Sequence, residues 1–282
     1  MPIHILNGFA YGGLLFLVAV GLVLLFGLRR VVNFAHGGLF MLGAYVGYSV
    51  AHVAGFWAGV ACSVLALAAV GVLLDRFLFR PLAQEDPIAT VLATFGLLMV
   101  IEDAARTIWG KGMLTLDPPA SLSGVISIAE STYPTYRIGL IVLAIGVAVG
   151  LTLWLRFSRI GLYVRASSSD PLTTGMQGVN TERLSATVVA IGTGLAGLSG
   201  TVAAPLLTLS PTMGSSVLVE SFIVVVIGGL SSFSGALIAA IAIGQLHSFG
   251  LVYIPWGASM LPFLLMVVVL IARPDGLSGA SR

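Results

Sequence analysis

The chain holds a single lysine, Lys111, in 282 residues. That scarcity excludes one chemistry directly. A phosphate-binding loop of the Gly-x-x-x-x-Gly-Lys-Ser/Thr type needs a hydroxyl after its lysine, whereas Lys111 stands in Trp109-Gly110-Lys111-Gly112. Any ATP-driven work therefore requires another subunit. Charge of either sign is equally scarce, at 9% of residues, against roughly 25% in an ordinary soluble domain. So little charge does not clothe a water-soluble globule. The one cysteine, Cys62, excludes an intramolecular disulfide and, inside an apolar run, reads as a small hydrophobic filler. No His-x-x-x-His, cysteine pair or nucleophile elbow is present, so the spacing of a metal site or a hydrolase is missing. The expectation is a protein that is not an enzyme and carries no cofactor or metal.

Apolar residues, by contrast, make up 58% of the chain, and the mean hydropathy is +1.07. The first apolar stretch, at 5–28, is too long for a signal segment and lacks a basic start and a cleavage site, so it reads as a retained helix. A helix needs about 20 apolar residues to cross a bilayer core. Candidate spans lie at 6–28, 34–53, 57–79, 88–109, 137–156, 184–207, 217–234, 235–253 and 257–272. The predicted fold is all-α, a polytopic transmembrane helical bundle of 8–9 membrane segments, and residues 1–282 form one membrane domain. The pair 217–253 is interrupted by Gly228-Gly229-Leu230-Ser231-Ser232-Phe233-Ser234-Gly235. That run is either a tight turn between two crossings or an unwound stretch in a re-entrant hairpin.

Basic residues set the orientation. With the N-terminus outside and nine alternating passes, Arg29, Arg30, Arg76, Arg80, Arg156, Arg159, Arg165, Arg183, Arg273 and Arg282 face the cytoplasm, and Arg106, Lys111 and Arg137 face outward. This follows the positive-inside rule and places the C-terminus in the cytoplasm. The 35 glycines, several at helical spacing such as Gly192, Gly194, Gly197 and Gly200, suit close helix packing where lipid supplies no hydrophobic drive. Glycines beside polar groups also permit the broken helices of transporter substrate sites.

A basic loop at 157–183 follows the fifth span. Asp170 is a plausible N-cap, Pro171 fits the first helical position, and Gly178 closes the turn as a C-cap. This predicts a short cytoplasmic helix at 171–177 that presents Leu172 and Met176 as an apolar pair. Two turns of helix are unstable alone in water. The helix therefore either rests on lipid headgroups or inserts into a groove on a cytoplasmic partner.

Four segments resemble the permease subunits of branched-chain amino acid ABC importers, the LivH/LivM-type family. They are Arg29-Arg30-Val31-Val32-Asn33-Phe34-Ala35-His36-Gly37-Gly38; Phe79-Arg80-Pro81-Leu82 with Ala93-Thr94-Phe95-Gly96; Arg159-Ile160-Gly161 through Asp170-Pro171 to Gly178-Val179-Asn180; and Val226-Ile227-Gly228-Gly229-Leu230 with Arg273-Pro274-Asp275-Gly276-Leu277. The length is closer to LivH. The resemblance implies that the loop after the fifth span is a coupling helix docking on an ATPase subunit, through Arg165, Asp170, Pro171, Leu172, Met176 and Gly178. Gln177 stands where that family usually has methionine, and Gly175 replaces a better helix former. The implied partners are a homologous LivM-like permease, two ABC ATPase subunits, an extracytoplasmic substrate-binding protein and membrane lipid, with no nucleic acid. The implied location is the bacterial inner membrane. The implied cargo is a branched-chain or other hydrophobic amino acid; relatives that carry urea, short amides or organic acids keep that choice open. The alternative class is an ion-coupled secondary transporter or channel, which usually needs a mid-membrane carboxylate, whereas the carboxylates here cluster near span ends.

Polar groups inside spans are expensive and often functional. Asn33 and His36 either tie helix ends together or line a translocation path. Gly228, Gly229 and Ser231 are path candidates if the break is functional, and Glu220 either snorkels to the surface or lines an external gate. Arg106 stands four and three residues beyond Glu102 and Asp103, which predicts a structural ion cluster facing other helices, or else contact with the path or binding protein. His247, near Gln245 and Ser248, reads as hydrogen-bonded between helices.

Overall fold

The computed structural model describes residues 1–128 and 131–278; Arg282, counted above among the cytoplasmic arginines, lies outside them. The described residues build eleven α-helices: α1 (Pro2–Arg29), α2 (Ala35–Ala54), α3 (Phe56–Leu74, continued by a π-helical turn at Asp75–Phe79), α4 (Pro87–Trp109), α5 (Thr135–Phe157), α6 (Arg159–Ser169), α7 (Pro171–Met176), α8 (Thr181–Ala203), α9 (Met213–Gly228), α10 (Phe233–Tyr253) and α11 (Leu261–Ala272). Among the described residues, eight helical segments are long and apolar enough to cross a membrane, and α9 is a shorter apolar helix. The polytopic bundle expected from hydropathy is therefore present. A two-stranded antiparallel hairpin, β1 (Val125–Ile128) and β2 (Ser131–Pro134), precedes α5, in a segment where no strand was expected.

The centre of the bundle is α1, whose residues from Gly12 to Leu25 are buried. Packing around it depends on small residues. An added Cβ at Gly12 would lie 2.7 Å from the Ala240 carbonyl of α10, and one at Gly43 would lie 2.6 Å from Gly197 Cα of α8. These approaches let hydroxyls bridge helices: Ser63 Oγ lies 3.0 Å from Gly43 O and 2.9 Å from Gly197 O, and Thr201 Oγ1 donates to Gly43 O at 3.0 Å. In hydrocarbon such bonds substitute for the missing hydrophobic drive. Cys62, expected as a filler, is on the exposed face of α3.

One end of the bundle gathers the basic helix termini. Arg29 at the end of α1 reaches Asp75 at the end of α3, Arg80 reaches the same carboxylate, and Arg80 also holds Glu182 at the start of α8. We refer to this as the basic end. The loop expected at 157–183 contains more helix than its composition suggested. The Ser158 hydroxyl accepts from Gly161 N at 2.8 Å and starts α6, a capping interaction that the sequence reading passed over.

Two elements depart from simple crossings. After Arg30, which adopts left-handed backbone at φ 53, the chain climbs back along the bundle before α2 begins. Phe34 N donates to Thr94 Oγ1, seven residues into α4, and His36 lies against Gly21, eight residues before the end of α1. At about 1.5 Å per residue, the start of α2 lies roughly 11 Å inside the basic end. The other is α9, whose 16 residues span about 24 Å, less than the roughly 30 Å of a hydrocarbon core. It starts after the non-helical stretch 204–212, where Leu209 pairs with Leu114. The sixth span thus ends at Ala203 rather than at residue 207.

Candidate translocation site and docking surface

The interior break is built from the start of α2. Asn33 Oδ1 accepts from Ala35 N at 3.0 Å, a local side-chain turn that leads into the helix. The His36 ring lies 3.0 Å from Val18 O through Nε2, so this nitrogen carries the proton and Nδ1 is the acceptor. Both side chains are buried, and the Asn33 amide nitrogen and His36 Nδ1 have no partner among the described residues. Hydrogen-bond donors and acceptors left over at a mid-bundle helix start are the kind of feature that accompanies discontinuous transporter helices. Aromatic rings wall this point: Phe34 is 5.2 Å from Phe222 of α9 and 6.1 Å from Phe95 of α4, between ring centres. A cavity of about 650 Å³ opens from the break toward the basic end, lined by Leu28, Arg30, Asn33, Thr90, Pro171 and Ser185.

The second break is a tight turn. α9 ends at Gly228, Gly229 takes φ 99, and α10 starts at Phe233 with Ser232 Oγ accepting from Gly235 N. The turn is tied to the C-terminal segment, with Leu277 N donating to Ile227 O at 2.8 Å and Ser278 N to Gly228 O at 3.3 Å. Gly276, at φ 79, lies so close that an added Cβ would be 2.7 Å from Gly229 N. Gly228 and Gly229 are buried, while Ser231 is exposed beside a second cavity of about 850 Å³.

Away from the basic end, Glu220 is half-buried and accepts from Tyr11 OH at 2.7 Å. His247 meets Tyr11 by stacking at 4.3 Å between ring centres, rather than through the interhelical hydrogen bond expected of it. Gln245 and Ser248 supply such bonds, to Ile5 O and His4 O.

The expected ion cluster on α4 is not formed. Glu102, Asp103 and Arg106 take part in none of the three ion pairs among the described residues. The packed face of α4 carries Thr90, Thr94, Leu98, Ile101 and Ala105, which turns Asp103 and Arg106 outward as exposed residues. Glu102 is half-buried, with Oε1 unpartnered. Spacing alone was insufficient, because helix rotation directs these side chains away from neighbouring helices.

Sequence reasoning missed Asp75. It is fully buried and accepts from Arg29 Nη2, Arg80 Nε at 2.8 Å and Ser185 Oγ at 2.6 Å. These bonds pin the ends of α1, α3 and α8 together. The neighbouring carboxylate raises the Arg80 pKa further above its usual value.

At the basic end, α7 has the expected form. Asp170 accepts from Thr173 N at 3.1 Å, Pro171 occupies the first turn, and Gly178 has φ 86. Bonds from the Thr173 hydroxyl and backbone lower the Asp170 pKa. Thr174 is buried, whereas Leu172 and Met176 are 77% and 86% exposed, and Arg165 on α6 is also exposed. Two large apolar side chains thus project from a short, capped helix.

A sequence profile described as branched-chain amino acid transport system / permease component matches residues 4–270. The chain is 27% identical to the high-affinity branched-chain amino acid transport system permease protein BraD of Pseudomonas aeruginosa, over 98% of this chain and 95% of that protein. It is 23% identical to LivH of Escherichia coli K12, over 97% and 94% respectively, and 24% identical to a probable LivH of Methanocaldococcus jannaschii, over 95% and 90%. No solved structure matches. With nearly the whole length matched and a bundle of apolar helices to accompany it, the chain is a multi-pass membrane protein that belongs to the branched-chain amino acid transport permease family.

Proposed function

We propose that the chain is the membrane-spanning permease of an ATP-driven importer that moves branched-chain amino acids from an extracytoplasmic binding protein into the cytoplasm. In this reading residues 1–282 are one permease domain, the basic end is cytoplasmic, and a homologous permease completes the path. ATP is hydrolysed by two partner subunits, since Lys111 lies in no phosphate-binding loop. The cargo class rests on the names of the relatives.

The observation that carries the proposal is α7. Its exposed Leu172 and Met176 stand on the basic end, beside the cavity that leads to the Asn33 break. An apolar pair on a short helix needs a groove to cover it, and an ATPase groove places that contact one cavity away from the break. Replacing Met176 by aspartate puts a charge into the contact. Partner ATPases should co-purify with the unaltered chain and be lost from M176D, while the membrane fold elutes unchanged; normal assembly of M176D would remove the docking assignment. Uptake against a gradient by vesicles holding this chain alone would overturn the ATP-driven reading.

A further inference from the structure

Two opposite charges share one face of α1. Glu220 of α9 accepts from Tyr11 OH at 2.7 Å, and Arg137 in the first turn of α5 donates through Nη1 to Asn7 Oδ1. Asn7 and Tyr11 are four residues apart, so they lie on the same side of α1 with about 6 Å of helix rise between them. Asn7, Tyr11, Arg137, Glu220 and His247 are all half-buried.

The charges are not each other's partners. Among the described residues the ion pairs are Arg29–Asp75, Arg80–Asp75 and Arg80–Glu182, all at the basic end. Arg137 and Glu220 instead hold neutral groups. A charged group within or at the edge of a membrane span is unfavourable unless something compensates it. Among the described residues, a cation and an anion, each on a neutral tether, are thus both left without a counter-ion.

We propose that Arg137 and Glu220, positioned by Asn7 and Tyr11, form a zwitterion-binding station in the half of the bundle away from the basic end. The guanidinium takes the α-carboxylate and Glu220 takes the α-ammonium. One zwitterion supplies both missing counter-ions while remaining neutral overall. A urea or simple amide supplies neither, so the station selects amino acids over those cargoes. Tyr11, stacked on His247 at 4.3 Å, holds Glu220 in place and adds an aromatic face beside the ammonium. This inference rests on the permease reading above and names the substrate contacts of that path.

The test uses the permease assembled with its partner subunits but without the external binding protein, whose own selectivity would mask the station. Equilibrium binding of radiolabelled L-leucine is competed with L-leucinamide, which lacks the carboxylate, and with 4-methylpentanoate, which lacks the ammonium. In the unaltered complex both analogues should compete at least tenfold more weakly than leucine. Glu220→Gln should abolish the disadvantage of 4-methylpentanoate and leave that of leucinamide, and Arg137→Gln should do the reverse. If either variant fails to assemble, Glu220→Asp or Arg137→Lys reads the same ratios, with a shift in the same direction. Leucine-to-analogue ratios within twofold of the unaltered complex in both variants, or no leucine binding by the unaltered complex, would overturn the station. ATP-dependent uptake by the unaltered complex with its binding protein is measured separately: its presence alongside unchanged ratios sinks the station alone, whereas its absence sinks the permease reading.

Discussion

Substituting Asp75 by alanine would strip one acceptor from two arginines at once. The carboxylate is fully buried, and the Arg29 and Arg80 side chains are 20% and 32% exposed. Breaking a buried pair from one side typically costs about 3–5 kcal/mol, because the remaining charge is left uncompensated. Water reaches part of both guanidinium groups, which puts Asp75→Ala at the low end, about 3 kcal/mol. Asp75→Asn keeps the shape and one acceptor for Ser185, and should cost about 2 kcal/mol. Glu182, at 72% exposure, offers the internal contrast, since Glu182→Gln should cost below about 1 kcal/mol despite its 2.8 Å bond to Arg80. For a chain of this length each kcal/mol moves the melting midpoint by about 2–4 °C, so Asp75→Ala should melt roughly 6–12 °C lower and Glu182→Gln within about 4 °C. Thermal unfolding of purified protein in one detergent, followed by tryptophan fluorescence, reads the difference. Equal shifts for Asp75→Ala and Glu182→Gln would refute the reasoning, because they would show that burial does not decide the strength of this node.

Glycine seams give a second contrast. A Cβ at Gly200 would strike Phe40 O and lie 2.8 Å from Ala44 N, so Gly200→Ala should destabilise by about 1–3 kcal/mol. Gly146→Ala, with nothing within 4 Å, should be neutral or stabilise by up to about 1 kcal/mol; the same melting assay checks both. For Asp170 the sign follows from its depressed pKa. The cap contributes fully above the unfolded value of 3.8 and is lost only as pH falls through the lower folded value. ATPase docking measured from about pH 5 to 8 should therefore show no Asp170-dependent step, and Asp170→Asn should dock alike throughout. Arg30→Gln combined with Ser168→Ala should leave ATP hydrolysis near normal and lower uptake at least fivefold; parallel losses of both activities would argue against a linking role.

Legibility in the sequence divided according to the range of the interaction. Spans are summed local hydropathy, so their positions were readable to within a few residues, and the Asp170 cap was readable because donor and acceptor lie three residues apart. Asp75 was not, since its partners Arg29 and Ser185 are 46 and 110 residues away. Tyr11 was hidden for a related reason: hydropathy treats it as filler, and Glu220 lies 209 residues on. Asn33 and His36 were noticed as polar groups at a span end, yet the depth of α2 was not legible, because it depends on how far residues 30–34 climb. Glu102 and Arg106 show the converse. Correct helical spacing suggested a pair, and rotation about the α4 axis prevented it.

The arrangement of the basic end links α7 to the break by short steps. The chain passes from α7 through Asp170 directly into α6. From α6, Ser168 Oγ donates to Gly27 O at 2.6 Å, and Arg30 Nη2 donates to Ser168 O at 2.9 Å. Gly27 and Arg30 flank the end of α1, three residues before Asn33. Asp75 meanwhile fixes Arg29 to α3 and α8. A displacement of α7 is therefore resisted at Arg29 and delivered at Arg30, so the compliant element between them and α2 is the non-helical stretch 30–34. A pinned node on one side and a short non-helical segment on the other is what a hinge requires. This places the expected movement at the start of α2, where Asn33 and His36 still have hydrogen-bonding capacity to spare.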